Sequence, residues 1–298
     1  MTEAERLNVF HQHRSLLFSI AYRMLGSSAD AEDMLQETFI RWQQSADTEI
    51  HTPRAFLVTI ISRLCINHLQ SARVQREEYF GEWLPEPVLT SPGRPETPGG
   101  ARLDESLSLA FLVLLERLSP MERAVFLLRE TFDYEYSEVA SILGQSESNC
   151  RQILSRARQH IAEMRPRFDA SQPEHERLLQ AFVDATETGE LDQLVALLSS
   201  TVVLHSDGGG KAPALPKPLY GPPNVARGIL GSMSKFVPKG MTRRMACVNG
   251  RPGIVSYLEG RAFAVFTLDV EDGLIQNLYI VTNPEKLAHL QSIPVAPC

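Results

Sequence analysis

Five arginines crowd the window Arg151 to Arg167 against a single acid, Glu163. A guanidinium forks onto phosphate oxygens and guanine edges, so such a cluster suits contact with nucleic acid. A second string, D-G-G-G-K at Asp207 to Lys211, resembles a phosphate-cradling loop at first sight. The G-x-x-x-x-G-K-[ST] spacing is absent, however, and Ala212 stands where a hydroxyl residue is needed. Asp207, Gly208, Gly209, Gly210 and Lys211 read better as an interface loop, because glycines let another backbone come close. His205, Asp207, Tyr220, Tyr257, Glu259 and Asp269 could supply groups for proton transfer. Cys65, Cys150, Cys247 and Cys298 lie far apart with no C-x-x-C pair, which argues against both a disulfide framework and a metal site. A reducing cytoplasm fits, and no cofactor is expected.

These groups are spread over a chain of 298 residues, enough for two or three domains. The net charge of −7 speaks against nucleic acid until its distribution is considered. Residues 1–170 hold 18 arginines and no lysine, while all five lysines lie beyond residue 210. The longest apolar run, Leu107 to Leu115, falls well short of the roughly 20 residues that span a bilayer. Met1 is followed by no basic-then-apolar leader, so neither secretion nor a membrane is expected.

Apolar spacing of period 3.6 marks residues 5–80 and 102–168 as helical. Between them, residues 81–101 carry five prolines and four glycines, which excludes a helix or a central strand and makes a linker. A third block opens with an amphipathic helix from about Glu174 to Ser199, interrupted near Gly189. The turn dipeptides Asn249-Gly250, Glu259-Gly260 and Asp272-Gly273 then separate runs rich in Val, Ile, Phe and Tyr. They predict an antiparallel meander, so the block is α+β. Alternation puts Phe263, Val265, Thr267 and Asp269 on one sheet face and Ala264, Phe266 and Leu268 on the other.

Glu135 to Arg158 has the spacing of a helix-turn-helix. Ala140 allows two helices to approach, Gly144 makes the turn, Ser146 caps the next helix, and Cys150 and Ile153 point back inward. Ser148, Asn149, Arg151, Gln152, Ser155 and Arg156 are left outward, where they can read base edges and hold phosphates.

Three strings resemble the extracytoplasmic-function sigma factors of RNA polymerase. D-A-E-D-M-L-Q-E-T-F-I-R-W, Asp30 to Trp42, is similar to the helix that binds the polymerase clamp helices. The resemblance implies polymerase contacts from Asp33, Leu35, Gln36, Glu37 and Phe39. Pro53 to Arg73 is similar to the helices that open and read the −10 element. It implies DNA contacts from Arg63, Asn67, His68, Arg73 and Arg76, although Arg63 stands where many relatives carry asparagine. L-S-P-M-E-R-A-V-F-L-L-R-E, Leu118 to Glu130, precedes the helix-turn-helix as in the domain that reads the −35 element.

Three more strings narrow the resemblance: W-L-P-E-P (Trp83 to Pro87), D-G-G-G-K, and N-P-E-K-L (Asn283 to Leu287). They resemble the group that carries a fused SnoaL-like domain, in which the extension acts in place of a separate anti-sigma protein. The resemblance implies an interdomain regulatory set of Trp83, Leu84, Pro85, Glu86, Pro87, the 207–211 loop, Asn283, Pro284, Lys286 and Leu287. Glu86 could pair with Lys211, an exposed contact that would add only about 0–1 kcal/mol.

The expected fold is multidomain. Two all-α sigma domains, 1–80 and 102–168, flank the linker 81–101, and an α+β SnoaL-like cone-shaped barrel follows at 172–298. The expected function is a non-enzymatic sigma factor whose partners are core polymerase, promoter DNA and its own C-terminal domain. Two other readings stay open: a DNA-binding repressor that never engages polymerase, and a C-terminal domain that senses a small ligand or is weakly enzymatic.

Overall fold

The computed structural model describes residues 2–45, 50–77, 79–90, 107–162 and 171–290, the side chains of 72–77 and 162 excepted. These residues fall into two compact units. One is made of those in Met1–Glu77, Pro95–Leu107 and Phe111–Arg165, the other of those in Glu78–Arg94, Ser108–Ala110 and Pro166–Cys298. The second unit therefore includes Tyr79 and Phe80, expected in the first module, together with linker residues 81–90.

In the first unit, α1 (Glu3–Leu25) starts on a capping box in which Thr2 and Glu5 each accept from the other's amide. It stops at Gly26, whose φ of 68° a side chain would disfavour. The Ser27 hydroxyl caps α2 (Ser28–Gln44), and α3 (Pro53–Glu77) opens on proline, which suits the first helical turn. Trp42 ties the three helices together. It is fully buried, donates its indole N–H to the Arg6 carbonyl at 3.0 Å, and meets Phe56 of α3 at 5.9 Å.

After α4 (Leu109–Leu115) comes α5 (Pro120–Phe126), which opens on a Ser119–Glu122 capping box and a first-turn proline. A π-helical turn, Leu127–Thr131, leads to α6 (Tyr136–Leu143) and α7 (Glu147–Ala162). Gly144 takes a φ of 66° between them, and Ser146 caps α7 by accepting from the Asn149 amide at 3.2 Å. Cys150, Ile153, Leu154 and Ala157 are buried on the inner side of α7. This is the helix-turn-helix its spacing predicts.

The second unit is one twisted sheet with helices on one face. Helices α8 (Gln172–Thr188), α9 (Leu191–Ala196) and α10 (Pro222–Phe236) share a core with strands β1 (Leu198–Asp207), β4 (Arg251–Leu258), β5 (Arg261–Glu271) and β6 (Leu274–Val281). With β2 (Leu219–Tyr220) and β3 (Thr242–Val248) the strand order is β2-β1-β6-β5-β4-β3. The β1–β6 pair is parallel and the other pairs are antiparallel.

Each of the three predicted turn dipeptides has positive φ at both residues, 52° and 74°, 51° and 78°, 51° and 73°. Those are mirror-image turns, whose twist matches that of the flanking strands. The expected interruption falls at Gly189 (φ 74°), which stops α8 before α9 resumes the helix, and only Leu198 and Ser199 of the stretch predicted helical belong to a strand. A short α11 (Pro284–Leu287), capped by Asn283, and a 3-10 turn (Ala288–Leu290) follow β6.

Cys65 and Cys150 are free and buried, as small core residues would be. Cys247 is disulfide-bonded, which corrects the expectation against such bonds.

Candidate functional site

On α2 of the first unit, Asp33 and Gln36 are exposed and Glu37 is half-buried. Glu37 accepts from Arg41 at 2.7 Å, the i, i+4 pairing expected on this face. Leu35 is only 2% exposed, so its assignment to a partner surface is corrected: it is a core residue. Phe39 is half-buried, with its ring 4.9 Å from that of Phe10.

On α3, Arg63 and Asn67 are exposed one turn apart, and His68 lies beside them 3.7 Å from the Asp30 carboxylate. The side chains of Arg73 and Arg76 lie outside the described residues. Arg63 is oriented by one bond. Its Nε donates to the Ile142 carbonyl of α6 at 3.1 Å. A second tie joins the same parts of the unit, where buried Arg123 donates to the Met24 carbonyl at 2.5 Å and to Glu116 at 2.8 Å.

Along α7, Ser148, Arg151, Gln152, Ser155 and Arg156 are exposed. Asn149 is half-buried and donates to Gln145 at 2.8 Å. Arg151 is held between Glu147, at 3.0 Å, and the face of Tyr136, at 4.6 Å from its centroid. That contact points the guanidinium along the outer face of the helix near its N-terminus.

The second unit contains the densest polar arrangement. Asp207, at the end of β1, is fully buried. Its carboxylate accepts from four donors: the Tyr79 hydroxyl at 2.6 Å, the Leu84 amide at 2.9 Å, the Gly209 amide at 2.9 Å and the Lys286 ammonium at 2.7 Å. Lys286, from α11, also donates to the Leu84 carbonyl and stands 4.1 Å from the centre of the Trp83 ring. Asn283 donates to the Tyr79 oxygen at 2.9 Å. Burial and the neighbouring Asp207 carboxylate push the Tyr79 phenol well above its ordinary pKa, so it remains a donor. D-G-G-G-K, N-P-E-K-L and the start of the linker thus converge on one carboxylate.

The glycines are there for space. A Cβ on Gly209 would stand 2.2 Å from the Asn283 amide, and one on Gly210 would stand 3.3 Å from Phe80. Both residues also take positive φ, 60° and 70°.

The rest of the linker is pinned in sequence. Leu84 is fully buried, whereas Trp83 is half-buried and covers Lys286, so Leu84 is the deeper plug. Pro85 and Pro87 are buried beside it. Glu86 pairs with His289 at 2.9 Å, and Lys211 pairs with Glu285, which corrects the expected Glu86–Lys211 pair. Val88 and Asn249 exchange hydrogen bonds at 3.0 and 2.8 Å, Leu89 bridges Val248, and the Thr90 amide donates to the Cys247 carbonyl at 2.9 Å. Pro284 and Leu287 belong to the short helix that carries Lys286. Tyr79, Glu82, Asn249 and His289 were missed from sequence because each is an isolated polar residue whose partner is remote in the chain.

The sheet face opposite the helices is also polar. His205 lies 2.7 Å from Glu82 of the linker and stacks on Tyr279 at 5.1 Å. Tyr279 donates to Asp269 at 3.1 Å, and burial pushes the Asp269 carboxyl up to about 6 despite that bond. On the helix-covered face there is a cavity of about 200 Å³, lined mainly by apolar side chains including Phe182, Leu204, Ile229, Phe266 and Ile280. Ala264 and Phe266 face it, and so does Phe263, against the alternation, because the β4–β5 register shifts there. None of His205, Asp207, Tyr220, Tyr257, Glu259 and Asp269 lines the cavity, so the groups that could move protons lie outside it.

Comparison with known proteins places both units. The Sigma-70 region 2 family matches residues 9–74, and the Sigma-70, region 4 family matches residues 108–161. The chain is 37% identical over 298 residues to the ECF RNA polymerase sigma factor SigJ of Mycobacterium tuberculosis, covering 95% of this chain and 93% of that one. It is 30% identical over 282 residues to the probable ECF RNA polymerase sigma factor SigI of the same organism, covering 94% of each. The crystal structure of the M. tuberculosis extracytoplasmic function sigma factor SigJ superposes with a TM-score of 0.76 at 35% identity, over 95% of this chain and 98% of that one.

Proposed function

The chain belongs to the extracytoplasmic-function sigma factors of RNA polymerase, and from that premise we propose that its C-terminal SnoaL-like domain controls it by holding or releasing its own linker. The family directs promoter recognition by core polymerase. Within this chain, Asp33, Gln36 and Glu37 are assigned to the polymerase clamp, with Phe39 at the border of that surface. Arg63, Asn67, His68, Arg73 and Arg76 are assigned to the −10 element, and Ser148, Asn149, Arg151, Gln152 and Arg156 to the −35 element. Residues 1–80, 102–168 and 172–298 are taken as the three functional modules.

The observation that carries the control reading is Asp207 and its four donors, two of which, the Leu84 amide of the linker and the Tyr79 hydroxyl just before it, come from the 79–90 segment. A linker that must follow polymerase cannot also sit on this carboxylate, so docked and undocked forms are alternative states. Arg63 supports the same reading. Its Nε donates to the Ile142 carbonyl and so ties α3 to α6, while the remaining N–H groups of the exposed guanidinium stay free for DNA, and the tie would have to break if the two helical modules separate on the promoter. No step of this scheme calls for catalysis, and the protein acts where polymerase is, in the cytoplasm.

In vitro transcription with core polymerase tests it. Trp83→Ala and a chain ending before Asn283 should each change promoter output at constant sigma-module folding. Unchanged output in both, and in a chain ending near residue 170, would remove this role from the C-terminal domain. Glu37→Lys is expected to abolish polymerase capture without unfolding the chain, since reversing a charge at a paired interface costs about 2–5 kcal/mol. Wild-type capture by that variant would overturn the clamp assignment.

A further inference from the structure

We propose that the cavity of the C-terminal unit is a binding site for a small apolar monocarboxylate, whose body fills the apolar walls and whose carboxylate meets Arg243 and Ser256. The volume of about 200 Å³ sets the size. An apolar protein cavity of about 150 Å³ accepts benzene, so this one admits a single aromatic ring with a short side chain, or a short acyl chain.

The polar groups set the chemistry. Four of the lining hydroxyls are engaged by neighbouring backbone: Thr186 donates to the Val183 carbonyl, Ser232 to the Ile229 carbonyl and Thr282 to the Pro213 carbonyl, at 2.7, 2.8 and 3.1 Å, while Ser206 accepts from the Leu215 amide at 3.0 Å. Arg243 and Ser256 are different. They are directly opposed partners across β3 and β4, so their side chains share one face of the sheet, and both line the cavity. Both can donate to one carboxylate, and among the described residues Arg243 is the sole charged one in the lining.

Arg243 is paired with Glu187 at 3.1 Å, but the Glu187 side chain is 61% exposed. An exposed pair of that kind is worth about 0–1 kcal/mol, so a ligand carboxylate held beside apolar walls can displace it. An anion is therefore preferred to a neutral molecule of the same shape.

The site is also placed to be felt elsewhere in the unit. Ser206 lines the cavity and the next residue is Asp207, while Thr282 lines it and donates to the Asp207 carbonyl at 3.3 Å. Binding itself does not depend on the linker reading, and the test measures binding alone.

The experiment is calorimetric titration of the full chain with phenylacetate and, in parallel, with 2-phenylethanol, which has a similar body and no charge. Phenylacetate is expected to bind at least about tenfold more tightly, the equivalent of about 1.4 kcal/mol. Arg243→Gln should erase that preference while leaving weak binding of both compounds, and Ser232→Phe, which fills the cavity from α10, should abolish both. Absence of phenylacetate binding at millimolar concentration, equal affinity for the two compounds, a preference that survives Arg243→Gln, or binding that survives Ser232→Phe would each overturn the proposal.

Discussion

Replacing Asp207 with asparagine tests the linker seat at its centre. The carboxylate has no exposure, and its two oxygens accept four hydrogen bonds, one of them from an ammonium that is itself only 11% exposed. Asparagine keeps the shape but carries a single acceptor, and its amide nitrogen would face donors. Lys286 is then left charged and buried without its counter-ion. Breaking a buried pair from one side costs about 3–5 kcal/mol, far more than the net worth of an exposed one. Three kcal/mol corresponds to roughly 100-fold in the docking equilibrium.

Hydrogen exchange at the Leu84 amide reads this directly, because that amide donates to Asp207 in the docked state. Exchange is expected to quicken by about 100-fold or more in Asp207→Asn. Adding Lys286→Met should restore part of the protection by removing the orphaned charge. Glu285→Gln breaks the exposed Lys211–Glu285 pair and should change exchange by no more than a few-fold, for a cost of about 0–1 kcal/mol. Wild-type exchange at Leu84 in Asp207→Asn would refute the argument that this carboxylate holds the linker.

Two buried groups of the second unit should give opposing pH dependence. Burial raises Asp269 from 3.8 to about 6, so the folded state holds its proton better, and this contribution to stability is lost as pH climbs from about 4 to about 6. Burial, then the charge of Arg251, lowers His175 from 6.5 to about 4, so the unfolded chain takes that proton first, and this contribution is lost as pH falls from 6.5 to about 4. Each displacement is worth about 3 kcal/mol. Urea midpoints should therefore fall more steeply on acidification in Asp269→Asn than in wild type, and less steeply in His175→Gln; parallel curves for all three would contradict both assignments. On α7, Arg151→Ala should cost about 1–3 kcal/mol on a preferred −35 site and less on a scrambled one, whereas Arg156→Ala should weaken both equally and lower the salt slope by about 1. Identical losses for Arg151→Ala on the two sites would exclude base readout.

Local signals account for much of what the chain declared in advance. Gly144 with Ser146 and the three turn dipeptides each act through a few neighbouring residues, and each makes the cap or turn its chemistry predicts. The two helical regions and the α+β class follow, because period and turn chemistry are written along the chain. The W-L-P-E-P, D-G-G-G-K and N-P-E-K-L strings were also legible, but only as separate strings. Nothing in D-G-G-G-K says that its aspartate will be buried, or that Lys286, 79 residues later, will be its partner.

Tertiary structure decided the remainder. Leu35, for which the resemblance implied a polymerase contact, is covered together with Trp42 on the face of α2 that the other helices pack against. The parallel β1–β6 pair, which brings Asp207 level with Val281 and hence next to the N-P-E-K-L helix, joins segments about 75 residues apart and leaves no periodic mark. Sequence also left open which sheet face met the helices, and a register shift then turned Phe263 toward the cavity against its parity. The division has one physical cause. Caps, turns and amphipathic stripes are paid for by residues within a turn or two of each other, so one sequence contains both partners at readable spacing. A buried carboxylate, a cavity and a docked linker exist only when distant segments exclude water together, and that is determined by the fold as a whole.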